Sequence, residues 1–432
     1  MARLGWPGGD RMSQLKKTIN LLQEFSLPLI IGVIVALVAA NVNNEAYHHI
    51  VDYAVFGDGF IVHGKPLSLH FLINDIFMVF FFGIAAKEIT ESCLPGGDLN
   101  PPSKAINPLL GTLGGVFGPV GVYFALTYLL FAGHPDFAVV ANGWGVPTAT
   151  DIALAWLVAR MIFGNKHPAV NFLLLLAVAD DAIGLGIIAV FYGDPNMPAA
   201  PMNLVYFAVP GMIIAYVLRR FKVQAWLPYI LFGGTLSWWG FFSAHLHPAL
   251  ALVPIVPFLP GPERDTGMFN PEDEVDQDHA AGHHDHDHSP LHNFEHNLKL
   301  PGDLGLFFFA FANAGVAFSS MNSVTWIILA SLIAGKVIGI TFFSGLGAKL
   351  GFPLPDGMGI KHLIVASSVA GLGLTVALFV AGEAFGTAAA APYLGPAKMG
   401  AVFSGGAALV AIVLAKLFKI EKYEGPESSA HG

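Results

Sequence analysis

Cysteine is nearly absent: Cys93 is the only one in 432 residues. That excludes an internal disulfide framework and any multi-cysteine metal centre. Charge is scarce too. Only 12% of residues are Asp, Glu, Lys or Arg, about half the roughly 25% usual in soluble domains. The chain therefore reads as one solvated by lipid. A cleavable signal peptide is not evident. The first apolar run, LPLIIGVIVALVAANV, follows Lys16 and Lys17 and lacks a small-residue cleavage site, so it reads as an uncleaved first span.

What is present is mostly apolar. Hydrophobic residues make up 54%, with 35 Phe and 49 Gly, and the mean hydropathy is +0.62. Abundant Gly is tolerated where membrane helices pack closely. The net charge of −9 owes much to one stretch, EDEVDQDHAAGHHDHDH, from Glu272 to His288. No nucleic-acid partner is expected; lipid is.

A helical span needs about 20 residues, fewer when short or buried. Twelve apolar runs qualify, at about 26–42, 70–90, 107–132, 144–161, 168–193, 203–219, 226–242, 244–260, 303–319, 322–346, 361–384 and 396–418. The expected fold class is an all-α polytopic membrane protein. Lys and Arg test its orientation. With the N-terminus in the cytoplasm, eighteen of the 21 fall inside; Lys65 and Lys398 fall outside, and Lys336 lies within a span. That asymmetry argues for both termini inside. Residues 1–25 would form a surface helix, with Leu15, Ile19 and Leu22 on one face. Residues 26–420 would be a single transmembrane domain, and 421–432 a tail. The loop over 261–302, acidic and His-rich, is expected to lack a fold of its own.

Ionisable residues within spans are costly and face polar interiors. Here they are Asp75, Asp151, Asp180, Asp181 and Lys336, with Glu383 near a span end. Asp180 and Asp181 sit in LLLLAVADDAIGLGIIAVFY (Leu173 to Tyr192) and point about 100° apart on a helix. They cannot serve one identical purpose. Lys336 is the single cation of this apolar set and would pair with Asp180 or Asp181. The acid left over would be an open site for a hard cation or a proton. A purely structural ion pair explains one aspartate and the lysine, but not the second aspartate.

The fourth span, GWGVPTATDIALAW (Gly143 to Trp156), carries Pro147 just before Thr148, Thr150 and Asp151. Proline there removes a backbone donor. The eleventh has Gly371 and Gly373 before Thr375. One interrupted span in each half is the pattern of a transporter site at the midplane.

These pieces, with LINDIFMVFFFGIAAKEI (Leu72 to Ile89), AHLHPALA (Ala244 to Ala251), FAFANAGV (Phe309 to Val316), IAGKVIGI (Ile333 to Ile340) and GLGLTVALFVAGEAFG (Gly371 to Gly386), resemble the NhaA-type sodium/proton antiporters over about residues 26 to 418. The resemblance implies inverted repeats whose discontinuous spans 4 and 11 cross in the membrane. It implies Asp181 as the main cation- and proton-binding carboxylate, Asp180 as the partner of Lys336, and Thr150 and Asp151 at the crossing. Sodium would bind at Asp181 and Asp180. The transported ions would be sodium or lithium and protons, moving net charge, with no cofactor. A homodimer in the bacterial inner membrane is implied.

A cytoplasmic cluster for pH response would comprise Lys87, Glu88, Glu295, His296 and Lys299. Here the sequence departs from the family. Ala85 stands at an acid's place, Glu88 where arginine is common, and Lys299 where histidine is. The pH response does not carry over directly.

Two other functions use membrane acids. An intramembrane aspartyl protease needs acids on two helices, one after Gly-x-Gly, and GLGL and GLGI lack it. A transition-metal/proton exchanger is suggested only by HHDHDH, because His245 and His247 point to different helix faces and suit capping or packing.

Overall fold

The computed structural model describes residues 27–55, 57, 61–62, 65–94, 102–193, 199–261 and 289–423. The surface helix expected over 1–25, the His-rich stretch and the end of the tail lie outside the described residues. Among the described residues the fold is helical apart from a two-residue ladder, Ile61–Val62 with Lys65–Pro66, and an isolated bridge between Ala54 and Ser68.

The principal helices among the described residues, in chain order, are α1 (Leu27–Val42), α2 (Leu69–Ser92), α3 (Pro102–Phe131), α4 (Phe137–Thr148), α5 (Ile152–Phe163), α6 (Pro168–Phe191), α7 (Val209–Arg220), α8 (Thr235–Ser243), α9 (Pro248–Phe258), α10 (Pro290–Ala314), α11 (Ser323–Lys349), α12 (Ile360–Val369), α13 (Leu374–Ala384) and α14 (Ala391–Leu417); a short helix, Asn44–Val51, follows α1, and π-helical stretches Leu204–Ala208 and Tyr229–Gly234 lead into α7 and α8. Among the described residues, five helical stretches are long and apolar enough to cross a bilayer: α2, Ala105–Phe131 within α3, α6, α11 and α14. The count rises to seven when α4 with α5, and α12 with α13, are each taken as one bent span; the bends are 51° and 52°.

Local sequence explains the breaks and caps. Pro147 lies in the tight 3₁₀ turns that end α4, and Ala149 is extended. Asp151 then caps α5, its Oδ1 accepting from Leu154 N–H at 3.1 Å. Gly164 ends α5 at φ +87°, a backbone region open to glycine. His167 caps α6 and Pro168 takes its first turn.

α3 and α11 pack along their length, and glycines allow it. A Cβ at Gly118 would sit 2.8 Å from the Gly339 Cα, so the two backbones touch. The π-helical turn Ser331–Gly335 in α11 immediately precedes Lys336. A second such turn, Leu72–Phe77, holds Asn74 and Asp75.

Three expectations need correcting. The hydropathy pattern starts the ninth span at 303, but α10 starts at Pro290. Ser289 caps it, Pro290 suits its first turn, and Leu291 and Phe294 are buried. The polar residues between them obscured this amphipathic turn. The charge count puts Lys398 outside, yet α14 begins at Ala391 and buries it. Lys336 is therefore not the sole cation within the helices. The eighth run is not a regular helix: Pro248, Pro254 and Pro257 leave it as short 3₁₀ segments around turns.

Candidate functional site

The two breaks meet. Asp151 N–H donates to Leu372 O at 2.6 Å. Its Oδ2 accepts from the Thr375 N–H at 3.2 Å and the Thr375 hydroxyl at 2.8 Å. Thr150 Oγ1 lies 3.0 Å from Ala370 O and 2.8 Å from Asp180 Oδ2, two acceptors for one hydroxyl proton. Backbone groups freed by one interruption are thus satisfied by the other, which makes irregular backbone tolerable at such depth.

α6 brings the paired acids to this junction. Lys336 Nζ donates to Asp180 Oδ2 and to Thr148 O, each at 2.5 Å. Lys336, Asp180, Asp151 and Thr150 are all buried. A buried ammonium is kept there by a carboxylate and a carbonyl aligned on it.

Asp181, one residue on, points elsewhere. It is buried, yet its Oδ1 makes no hydrogen bond, and no ion pair reaches it among the described residues. Asp180, Asp151 and Lys336 act on it electrostatically. Asp180 Oδ1 is likewise buried without a hydrogen bond. Orphaned carboxylate oxygens are rare in interiors because desolvation without a partner is costly. A hard cation or a proton is the kind of partner that such oxygens suit.

The residues expected to form a pH-responsive cluster divide. Lys87 is buried with Nζ 3.2 Å from Glu88, 2.7 Å from Glu91 and 2.5 Å from Glu295. His296 and Lys299 are exposed on α10; the His296 ring stacks 6.3 Å from His292. The cluster holds Lys87, Glu88 and Glu295 but not those two. Glu91 was missed, although its i,i+4 spacing from Lys87 could have shown it.

A polar chain was missed as well. Lys398 Nζ donates to Asn313 Oδ1 at 3.2 Å, and Asn313 donates to Asn74 Oδ1 at 2.9 Å. Asn74 is 2.8 Å from the His70 ring. The asparagines carry no charge, so nothing flagged them. His247 caps the turn at Ala249 and pairs with Glu383 at 3.2 Å, while the His245 backbone is left-handed at φ +61°. Both histidines shape the chain. Among the described residues no group of three metal-ligating side chains exists.

Apolar helices, two interrupted and bonded at their breaks, surround buried acids and one lysine. That is the pattern of an ion-coupled secondary transporter. The Na+/H+ antiporter 1 family model matches residues 17–417. The chain is 56% identical to the Na(+)/H(+) antiporter NhaA of Geotalea uraniireducens, over 94% of this chain and 98% of that one. It is 54% identical to the NhaA antiporters of Geobacter sulfurreducens, over 94% and 100%, and of Desulfitobacterium hafniense, over 96% and 100%. The chain belongs to the Na+/H+ antiporter 1 family.

Proposed function

We propose that the protein exchanges cytoplasmic sodium, or lithium, for external protons, with Asp181 as the carboxylate that both ions visit. The observation carrying this is the inequality of the two neighbouring acids. Lys336 compensates the charge of Asp180, whereas Asp181 keeps a buried, unpaired oxygen. An ionised, desolvated Asp181 needs a cation or a proton, and either one excludes the other. Asp180 Oδ1 completes the candidate sodium site, and Thr150 and Asp151 hold the breaks beside it. Sodium here is substrate, not resident metal.

The finer architecture follows from this reading. The two bent pairs serve as the fourth and eleventh of twelve spans and cross at the midplane. Their half-helix ends place backbone dipoles around the ion. Alternating access exposes Asp181 to one side at a time, and net charge moves. Lys87, Glu88 and Glu295 serve the cytoplasmic response to pH. The Lys/Arg asymmetry supports cytoplasmic termini in a bacterial inner membrane, and the family resemblance supports a homodimer. Family membership favours this over the protease and the metal exchanger.

The test is proton flux in proteoliposomes after adding sodium, lithium, potassium or zinc. Flux with sodium or lithium alone is expected, and absent in Asp181→Asn. Unchanged sodium-driven flux in that variant rules out the assignment.

A further inference from the structure

We propose that the corner between α5 and α6 is a binding site for the phosphate of an anionic phospholipid headgroup. A cavity of about 350 Å³ opens there, lined by Arg160, Gly164, Asn165, Lys166, Lys422 and Tyr423. Three of these residues are cations and none is a carboxylate.

Arg160 is already oriented. Its Nε donates to Asn165 Oδ1 at 2.8 Å, and its guanidinium carbon lies 4.2 Å over the Trp156 ring. Those contacts use one edge and one face, and among the described residues leave the terminal amino groups for an incoming acceptor. A planar guanidinium held in this way suits two phosphate oxygens. Lys166 and Lys422 add point charges from two other chain segments.

The segments are fastened together. Tyr423 N–H donates to Phe163 O at 2.8 Å, and a Cβ at Gly164 would come within 2.5 Å of Tyr423 O. Only glycine admits the C-terminal segment so closely, so Lys422 is held beside Lys166.

Lipid is favoured over free phosphate by the surroundings. Met161, next to Arg160, is 52% exposed, and Leu417, five residues before Lys422, is 70% exposed. In a protein of this family such apolar side chains face acyl chains. A basic pocket directly beside them lies at headgroup depth.

The proposal is tested on the purified full chain in a neutral detergent. Thermal unfolding is followed while phosphatidylglycerol, phosphatidylcholine or inorganic phosphate is added. Phosphatidylglycerol should raise the transition of the wild type, and the other two should not. Lys166→Gln/Lys422→Gln should unfold as the wild type does without lipid. It should need roughly twenty-five-fold more phosphatidylglycerol for the same shift, fivefold per lysine. Lys422→Gln alone gives the fivefold step should the double variant fold poorly. Lys222→Gln, at another basic cluster, should keep the wild-type response. An equal response of wild type and Lys422→Gln overturns the site. Equal protection by inorganic phosphate overturns the lipid as its occupant.

Discussion

Asp151 caps two helices at once. Its Oδ1 accepts from Leu154 at the start of α5, and its Oδ2 accepts from Thr375 at the start of α13. One carboxylate therefore satisfies orphan donors on both sides of the junction, where the two helix dipoles favour negative charge. Asp151→Ala removes both caps and should cost about 2 kcal/mol, near 1 kcal/mol for each. Asp151→Asn keeps one capping oxygen and should cost about half as much. Thermal unfolding of the two variants checks this; equal losses would show that one of the caps contributes nothing.

Lys336 and Asp180 should behave as a unit. Lys336→Ala leaves a buried acid without its partner, and breaking such a pair costs roughly 3–5 kcal/mol. Asp180→Asn added to it removes that stranded charge and should restore part of the stability. A double-mutant cycle measures the coupling. Strictly additive losses would contradict the pairing.

Close approach of α3 and α11 sets up a packing test. Gly339 lies against the backbone of Gly114 and Gly118 with no room for a side chain. Gly339→Leu should push the helices apart, lower stability by about 1–3 kcal/mol or more, and displace Lys336 one turn away. Retained wild-type stability and exchange would mean that the contact is dispensable.

His167 gives a pH-dependent prediction. Burial, then the neighbouring His362, holds its pKa below the usual 6.5. Its Nδ1 accepts from Ala169 N–H at 3.0 Å, its ring lies 4.9 Å from that of His362, and Phe163 and Tyr423 pack on it. Lys361 adds a further positive charge beside His362. The folded protein thus binds fewer protons here than the unfolded chain does. The stabilisation is complete above about pH 6.5 and is lost as pH falls toward the lower folded value. His167→Asn keeps a capping oxygen and removes the titration. The stability difference between wild type and variant should shift against the wild type between pH 7 and pH 5. A difference constant over that range would remove His167 from the acid response.

Much of this site was legible because charge in a membrane helix is too costly to be incidental. Asp180, Asp181 and Lys336 stood out from Leu, Ile and Ala on every side, and Pro147 marked a break. The uncharged network of Asn74 and Asn313 gave no such signal, and Lys398, which it binds, sits so near the start of the run at 396 that it reads as a loop cation. Glu91 was overlooked among several charges near a helix end. Start positions failed where caps decide them: Ser289 and Pro290 begin α10 inside a stretch that reads as polar loop. The irregular course of α9 depends on three prolines within a run whose hydropathy alone fits a span.

The central claim is that sodium and protons compete for Asp181 and its neighbours. Competition fixes a sign. Lower pH protonates the site, so half-maximal exchange requires more sodium; more sodium displaces protons, so the acidic limb of the activity profile moves to lower pH. In the limit of one proton displaced per sodium, tenfold more sodium moves it by about one pH unit. The measurement is transport current against pH at several sodium concentrations, with wild-type protein in proteoliposomes. The account predicts an acidic limb that slides toward lower pH as sodium rises. An acidic limb fixed in pH at all sodium concentrations would contradict it.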